Sequence, residues 1–416
     1  MIREVQLSAS AISTLKECPV LYRNMYVLGV RRIVKPDSLR IGVNWHDGQE
    51  IIHLKPGQLC PKCSQKKEAD VKCFLCCGSG HVDSCEDAMA RLFNSRYNNL
   101  YPWMDKRAAE VERAVIVTSL YSYIYNYESL KDNKYNIIAS EIPFKMPLVD
   151  PRTGHAVPGV IVQGVIDKIV RNKKTNVVSV MEHKSTSCDL APDSDYWGHL
   201  RLDTQTMLYV YAARRLQADG LLVAYGIKET DPPIDEVLYD VWRKPSIKPK
   251  MLSQKDTATL IEEGTYFGQE FDVTWAGPSK QGEEDLPAML IIDGTEYKDN
   301  GTSGLVMLKS NKPTIRETPD MFAARLFNDY GERPERHFAR RVANHDDDKM
   351  AAFEWELYHE FQAVQNFTER GCWYHNEHAC DRFGTCDYAQ FCYTGKEINL
   401  KKPPVGFECI FNRKDG

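Results

Sequence analysis

GVIDKIV (164–170) and VVSVMEHK (177–184), joined by the polar run RNKKTN (171–176), decide the reading of this chain. Both outer runs are rich in Val, Ile and Met and the residues between them are turn formers, so they predict two antiparallel strands of a hairpin. With the turn centred between Lys173 and Lys174, Asp167 stands opposite Val180, and directly opposed residues share a face. Alternation along the strand places Glu182 and Lys184 on that face as well. Two carboxylates and an ammonium thus converge among apolar neighbours, where an unpaired charge is costly.

This grouping suits metal-assisted phosphodiester hydrolysis. Carboxylate oxygens bind a hard Mg2+ or Mn2+, the ion lowers the pKa of a bound water, and the lysine orients or deprotonates that water. A surface ion pair across a hairpin would show the same spacing, but the apolar setting argues against it. Downstream, DTQTMLY (203–209) falls on a helix expected over Leu202–Leu216, and Gln205 and Tyr209, four apart, share one face of it. A helical pattern from Ile41 carries Trp45 and His46, and Ile137–Leu148 reads as a third strand antiparallel to the first two.

Taken in order, Gly42-xxx-His46, Glu141-Ile-Pro-Phe144, Asp167, Glu182-x-Lys184, Gln205-xxx-Tyr209 and Tyr239-Asp-Val-Trp-Arg-Lys-Pro245 resemble the RecB-type branch of the PD-(D/E)XK nuclease superfamily. The resemblance implies an α/β fold, a restriction-endonuclease-like mixed sheet flanked by helices. It implies that His46, Asp167, Glu182 and the backbone carbonyl of His183 ligate the Mg2+ or Mn2+ ion. Lys184 would position water, Gln205 and Tyr209 would organise the site and touch the DNA backbone, and Glu141 would contribute to a second metal or a hydrogen bond.

The 13 cysteines are an odd number in a chain that reads as soluble and intracellular (cytoplasmic, bacterial or phage-infected), so metal ligation comes before disulfides. No run approaches the ~20 apolar residues of a membrane span. Cys60-Pro-Lys-Cys63 and Cys73-Phe-Leu-Cys76 have the paired spacing of a zinc site, with Cys77, Cys85 or His81 as rivals to Cys76 for the fourth place. Gly78 and Gly80 would let backbone amides turn toward the thiolates, and Lys62, Lys66, Lys67 and Lys72 make the finger basic. Cys380, Cys386 and Cys392 need a fourth ligand. Similarity to the iron–sulfur branch, which includes the AddB nuclease domain and CRISPR-associated RecB-like exonucleases, implies Cys18 as that ligand and a [4Fe–4S] cluster. Zinc is the alternative there, with Cys372 as a weaker fourth ligand. Cys77, Cys85, Cys188, Cys372 and Cys409 are left over.

The expected organisation is an N-terminal helical part (1–53), a zinc-finger insertion (54–85), a nuclease core (86–250), an irregular insertion of unknown role (251–330) and a C-terminal helix with the iron–sulfur segment (331–416). Within these, Ser8–Tyr26 reads as one helix capped by Ser10 or Ser13, and Gly220–Ile227 and Val237–Trp242 as strands. Short strands are expected near Met289–Ile292 and Leu305–Leu308, and a long helix over Asp346–Arg370. The activity the resemblance implies is Mg2+- or Mn2+-dependent DNA hydrolysis, exonucleolytic on single-stranded ends in recombination, repair or phage DNA processing, with a helicase or recombination partner; no membrane is expected. An endonuclease or end-processing nuclease of a CRISPR-like or phage system is one rival; a non-catalytic DNA-binding scaffold is the other. The net charge of -5 excludes neither, because phosphate binding needs only a local basic surface.

Overall fold

The computed structural model describes residues 5–34, 37–63, 69–99, 104–129, 133–281, 284–299, 304–308, 312–381 and 384–412. Eight strands bear on the site: β1 (Val5–Leu7), β2 (Val30–Arg32), β3 (Tyr135–Val149), β4 (Ala156–Asn172), β5 (Val178–Thr186), β6 (Glu236–Arg243), β7 (Phe338–Asn344) and β8 (Phe407–Cys409). All but β2 and β8 form one six-stranded mixed sheet. The long β4 organises it. Antiparallel β3 runs along one edge of β4, while the other edge takes parallel β1 at Val160 and then antiparallel β5 from Lys168. Parallel β6 and antiparallel β7 extend the sheet beyond β5.

The helices are α1 (Ala9–Glu17), α2 (Pro19–Tyr22), α3 (Asp37–Ile51), α4 (Cys85–Asn99), α5 (Lys106–Ile124), α6 (Asp195–Leu200), α7 (Thr204–Ala218), α8 (Gln254–Glu263), α9 (Pro319–Glu332), α10 (Asp347–Arg370) and α11 (Ala389–Thr394). Alternation on β6 assigns them to two faces. Val237, Tyr239 and Val241 join α7 and α10 in one core, whereas Trp242 joins α3, α4, α5 and α9 in another. The mixed sheet flanked by helices is the fold expected from the sequence. It draws β1 from the N-terminal segment and β7 from the C-terminal one.

Local readings differ at four places. The strand register is Ile169↔Val180 and Lys168↔Met181, which sets Asp167 level with Glu182 instead of Val180. Asn176 adopts a positive φ of 60° and its N–H bonds to the Asn172 carbonyl, so the turn closes one residue later than a symmetric turn would. The shift is two residues, and parity keeps Asp167, Glu182 and Lys184 on one face. Ser8–Tyr26 is not one helix: Cys18 is extended and Pro19 starts a new turn, and Ser8, not Ser10 or Ser13, accepts the capping bond from Ala11 N–H. Gly220–Ile227 is a turn with a short 3-10 segment, because Gly220 and Gly226 both take positive φ. Finally, 251–330 is more ordered than its composition suggested. Its strands Met289–Ile292 and Leu305–Met307 are present, α8 and these hairpins share a small core around Leu260, Leu290 and Ile315, and α9 packs on α5. The long helix α10 is capped by Asp346 and buries Phe353, Leu357 and Val364.

Candidate active site

Glu182 is almost wholly buried on β5, and its Oε1 meets Lys184 Nζ at 3.0 Å. Lys184 also reaches Asp203 Oδ2 at 2.9 Å and donates to Gln205 Oε1 at 2.8 Å, so all three of its N–H donors are engaged. Gln205 Nε2 in turn donates to Tyr209 OH at 3.1 Å, the one-turn contact expected from their spacing. Burial disfavours the Lys184 cation, but Glu182 and Asp203 outweigh it and raise its pKa far above the ordinary lysine value. A charged Lys184 can orient and neutralise. Asp203 carried no role in the sequence reading. Its only local signal was that of a helix N-cap, which it also is, accepting from Gln205 N–H at 2.8 Å.

Asp167 lies beside Glu182 and accepts from His183 N–H at 3.2 Å. His46, on α3, places Nδ1 3.4 Å from Asp167 Oδ2. Burial works against protonation of His46, yet the Asp167 hydrogen bond and the charges of Asp167 and Glu182 raise its pKa, while Asp167 is held below the usual carboxylate range despite its own burial. Glu182 is displaced the other way, raised by burial and by the charge of Asp167. Glu141 on β3 has the left-handed φ of 51°, a costly conformation for a non-glycine residue. Burial and the charges of Glu50 and Asp167 push its pKa up to about 7. Glu50, one helical turn beyond His46, is a second member of the site that the sequence did not announce.

Behind the carboxylates runs a buried polar chain. Lys168 Nζ lies 3.0 Å from the Gln49 carbonyl and 2.7 Å from His183 Nε2, and His183 Nδ1 lies 3.0 Å from Asp240. Arg340 and Tyr123 close it on Asp240 at 3.1 and 2.5 Å. Burial and Lys168 depress the His183 pKa to about 3, so its imidazole is neutral and its ring faces away from the site. Its backbone faces the carboxylates, with the N–H bonded to Asp167.

The finger brings Cys60, Cys63, Cys73 and Cys76 together, all buried, with every ligand atom within 4.8 Å of the others. Sγ separations of 3.7 Å (Cys60 to Cys73) and 3.6 Å (Cys63 to Cys76) fit four sulfurs about 2.3 Å from one zinc ion. Burial opposes ionisation of Cys76, but the amides of Gly78 and Gly80 lower its pKa to about 7. Cys77 is exposed, Cys85 donates to the Leu54 carbonyl and His81 faces solvent, so Cys76 is the fourth member. This set could hold zinc, and it is the only such group of three or more that close among the described residues. The finger is also part of the core: its cysteines and Leu75 pack with Trp45 and Ile51 of α3 and with α4 and α5. Lys62 of the finger pairs with Glu50 at 3.5 Å. Lys66 and Lys67 lie outside the described residues.

Cys18, Cys380, Cys386 and Cys392 line one small cavity, with His375 and Asn376 beside them. Burial and the neighbouring thiols raise the pKa of Cys386 and of Cys392. Asn376 Nδ2 donates to the Glu17 carbonyl at 2.8 Å and Tyr388 OH to that of Val30 at 2.7 Å, while β8 pairs with β2. The two ends of the chain therefore meet around these cysteines. Cys372 is exposed and does not line the cavity.

No helix of the described residues is long and apolar enough to cross a membrane. No curated protein matches the chain. The family model of the PD-(D/E)XK nuclease superfamily matches residues 6–393, which takes in His46, the Asp167–Glu182–Lys184 constellation and Cys18 through Cys392, and the chain belongs to that superfamily.

Proposed function

We propose that this chain is a Mg2+- or Mn2+-dependent deoxyribonuclease that acts as an exonuclease on single-stranded DNA ends. Superfamily membership implies metal-dependent nuclease activity with DNA as substrate. The observation that carries the site assignment is Asp167 level with Glu182 on adjoining strands, with Lys184 bound to Glu182, Asp203 and Gln205.

The donor set fits a hard divalent ion. Glu182 Oε2 is buried with no hydrogen-bond partner, the state of a carboxylate oxygen kept for a ligand. Asp167, Glu182, His46 and the His183 carbonyl would hold the ion, which when bound polarises the scissile phosphate and acidifies a water. Water reaches Lys184 only by displacing one of its three acceptors. Glu182, whose other oxygen already lacks a partner, is the one that yields, which frees an N–H to orient the nucleophile. Asp203 and Gln205 keep the ammonium aimed meanwhile, and Tyr209 braces Gln205 from the next turn of α7. Glu141 stands next to Asp167 with a pKa suited to holding a proton near neutral pH.

For the terminal cysteines, a spacing wider than that of the finger quartet supports an iron–sulfur cluster over a single zinc ion. Metal analysis and visible absorption of anaerobically purified protein test this; a colourless, zinc-only sample refutes it. The activity is tested with end-labelled linear and circular single strands and duplexes in Mn2+. Mononucleotide or short-oligomer release from linear single strands, absent in Glu182→Gln, is expected. Cutting of circles would transfer the assignment to an endonuclease, and no cleavage by the isolated chain would favour a scaffold.

A further inference from the structure

A cleft of about 1060 Å³ runs along the free edge of the sheet at β7. It is lined by Lys134, Arg243, Arg336, Arg340 and Arg341 against two carboxylates, Asp189 and Glu335, in a chain whose net charge is -5. Two of the arginines are spoken for: Arg243 pairs with Asp189 at 2.9 Å and Arg340 with Asp240 at 3.1 Å. Arg336 and Arg341 have no carboxylate partner among the described residues; Arg341 lies 4.3 Å over the Trp197 ring. Tyr127 and Tyr135 supply aromatic rings to the same cleft from the sheet face opposite Arg341, so the cleft wraps around the β7 edge.

Register ties the cleft to the active site. Glu182 pairs with Tyr239, and Tyr239 with Arg341, so the three form one row on one face of the sheet. At about 4.8 Å per strand, Arg341 stands about 10 Å from Glu182. Arg243 pairs with Thr186, two residues beyond Lys184, or about 7 Å along β5. Unpaired cations beside aromatic rings are the surface that single-stranded nucleic acid uses, phosphates on the cations and bases on the rings. A cleft of this volume admits a few unpaired nucleotides.

We propose that the β7 cleft binds single-stranded DNA leading to the Glu182–Lys184 site, with Arg336 and Arg341 contacting successive phosphates. This rests on the nuclease reading above. The test is equilibrium binding of fluorescein-labelled dT15 to full-length Glu182→Gln protein in Ca2+ buffer, compared with the same protein carrying Arg336→Ala and Arg341→Ala. The double substitution is expected to weaken binding at least tenfold at moderate salt. It should also reduce the slope of log affinity against log salt by about 1.4, since each single-strand phosphate contributes ~0.7. Lys255→Ala, exposed on α8, should change neither. If the double variant melts lower, Arg336→Lys with Arg341→Lys should restore the slope. Unchanged affinity and slope would overturn the proposal, as would an equal arginine-dependent loss for a blunt duplex. Because binding needs no catalysis, arginine-dependent binding by a protein without metal-dependent cleavage would sink the nuclease reading alone.

Discussion

Replacing Cys73 by Ser should disable the nuclease site although Cys73 belongs to the finger. A surface knuckle would be dispensable, and from the cysteine spacing alone the finger could have been one. The packing says otherwise: Leu75 is fully buried in the cluster that also covers Ile51 at the end of α3, and Val82 of the finger is nearly as buried. Uncovering Leu75 and Val82 costs about 1.5–3 kcal/mol each, so a finger that melts forfeits about 3–6 kcal/mol of burial. A domain's whole stability is about 5–15 kcal/mol. The binding energy of a structural zinc, about 10–16 kcal/mol in small peptides, is a ceiling on what is lost with it. The end of α3 would loosen with its cover, taking Glu50 and the support of His46 with it. At ~2–4 °C per kcal/mol the melting temperature should fall by about 6–24 °C. The assay pairs zinc stoichiometry, thermal melting and Mn2+-dependent cleavage on the same preparations, including protein stripped by a zinc-selective chelator and reloaded. Activity should follow zinc content with Mn2+ in excess throughout. A zinc-free protein with an unchanged melting temperature and full cleavage would refute the reasoning.

Lys184→Ala should reduce kcat by about 10²–10³ with little change in KM, the usual loss when one charge stabiliser is removed, and Lys184→Arg should recover part of it; a proportionate rise in KM alone would assign Lys184 to binding. Glu182 is raised from its ordinary value to about 8 by burial and by Asp167, so across pH 4.5 to 8 the metal-free fold binds a proton that the unfolded chain has released. Stability of metal-free protein should therefore fall as pH rises through that window, and Mn2+ affinity should rise through it with proton release, measured by calorimetry in buffers of different ionisation enthalpy; pH-independent Mn2+ binding would contradict the shift. Cys18→Ser should abolish visible absorption and iron content, whereas Cys372→Ser should leave both intact; equal effects would remove Cys18 from the ligand set.

The strands were legible because β-branched runs bounded by turn residues leave little choice, and the carboxylate pairing survived a register error because the side-chain period is two. Gln205 and Tyr209 were legible because the helical repeat brings residues four apart together. Asp203 and Glu50 were not, since one reads as a cap and the other as an ordinary polar helix residue; only the fold puts Lys184 beside the first and Glu141 beside the second. Helix α5 escaped notice for a related reason. Part of its buried face is Thr118, Ser119 and Ser122, so no wide apolar stripe marks it. The chain from Lys168 through His183 and Asp240 to Arg340 spans four elements and has no sequence spacing at all. It had to be seen in three dimensions.

That chain also explains how a helix histidine joins the strand-borne carboxylates. Asp167, Glu182 and the His183 backbone inherit their positions from the β4–β5 ladder, but His46 depends on how α3 lies against the sheet. Three contacts fix that angle. Lys168 grips the Gln49 carbonyl at 3.0 Å from behind the sheet. Gly48 lets α5 approach so closely that a Cβ there would meet Leu120 Cδ1 at 2.4 Å. The finger seals Ile51 and pairs Lys62 with Glu50. All three fall within five residues after His46, so the histidine sits just ahead of a clamp assembled from the sheet, a neighbouring helix and the finger. An insertion placed directly after the helix that carries His46 is thus well sited to hold that helix, and a zinc ion bound there would govern the proposed site without touching substrate.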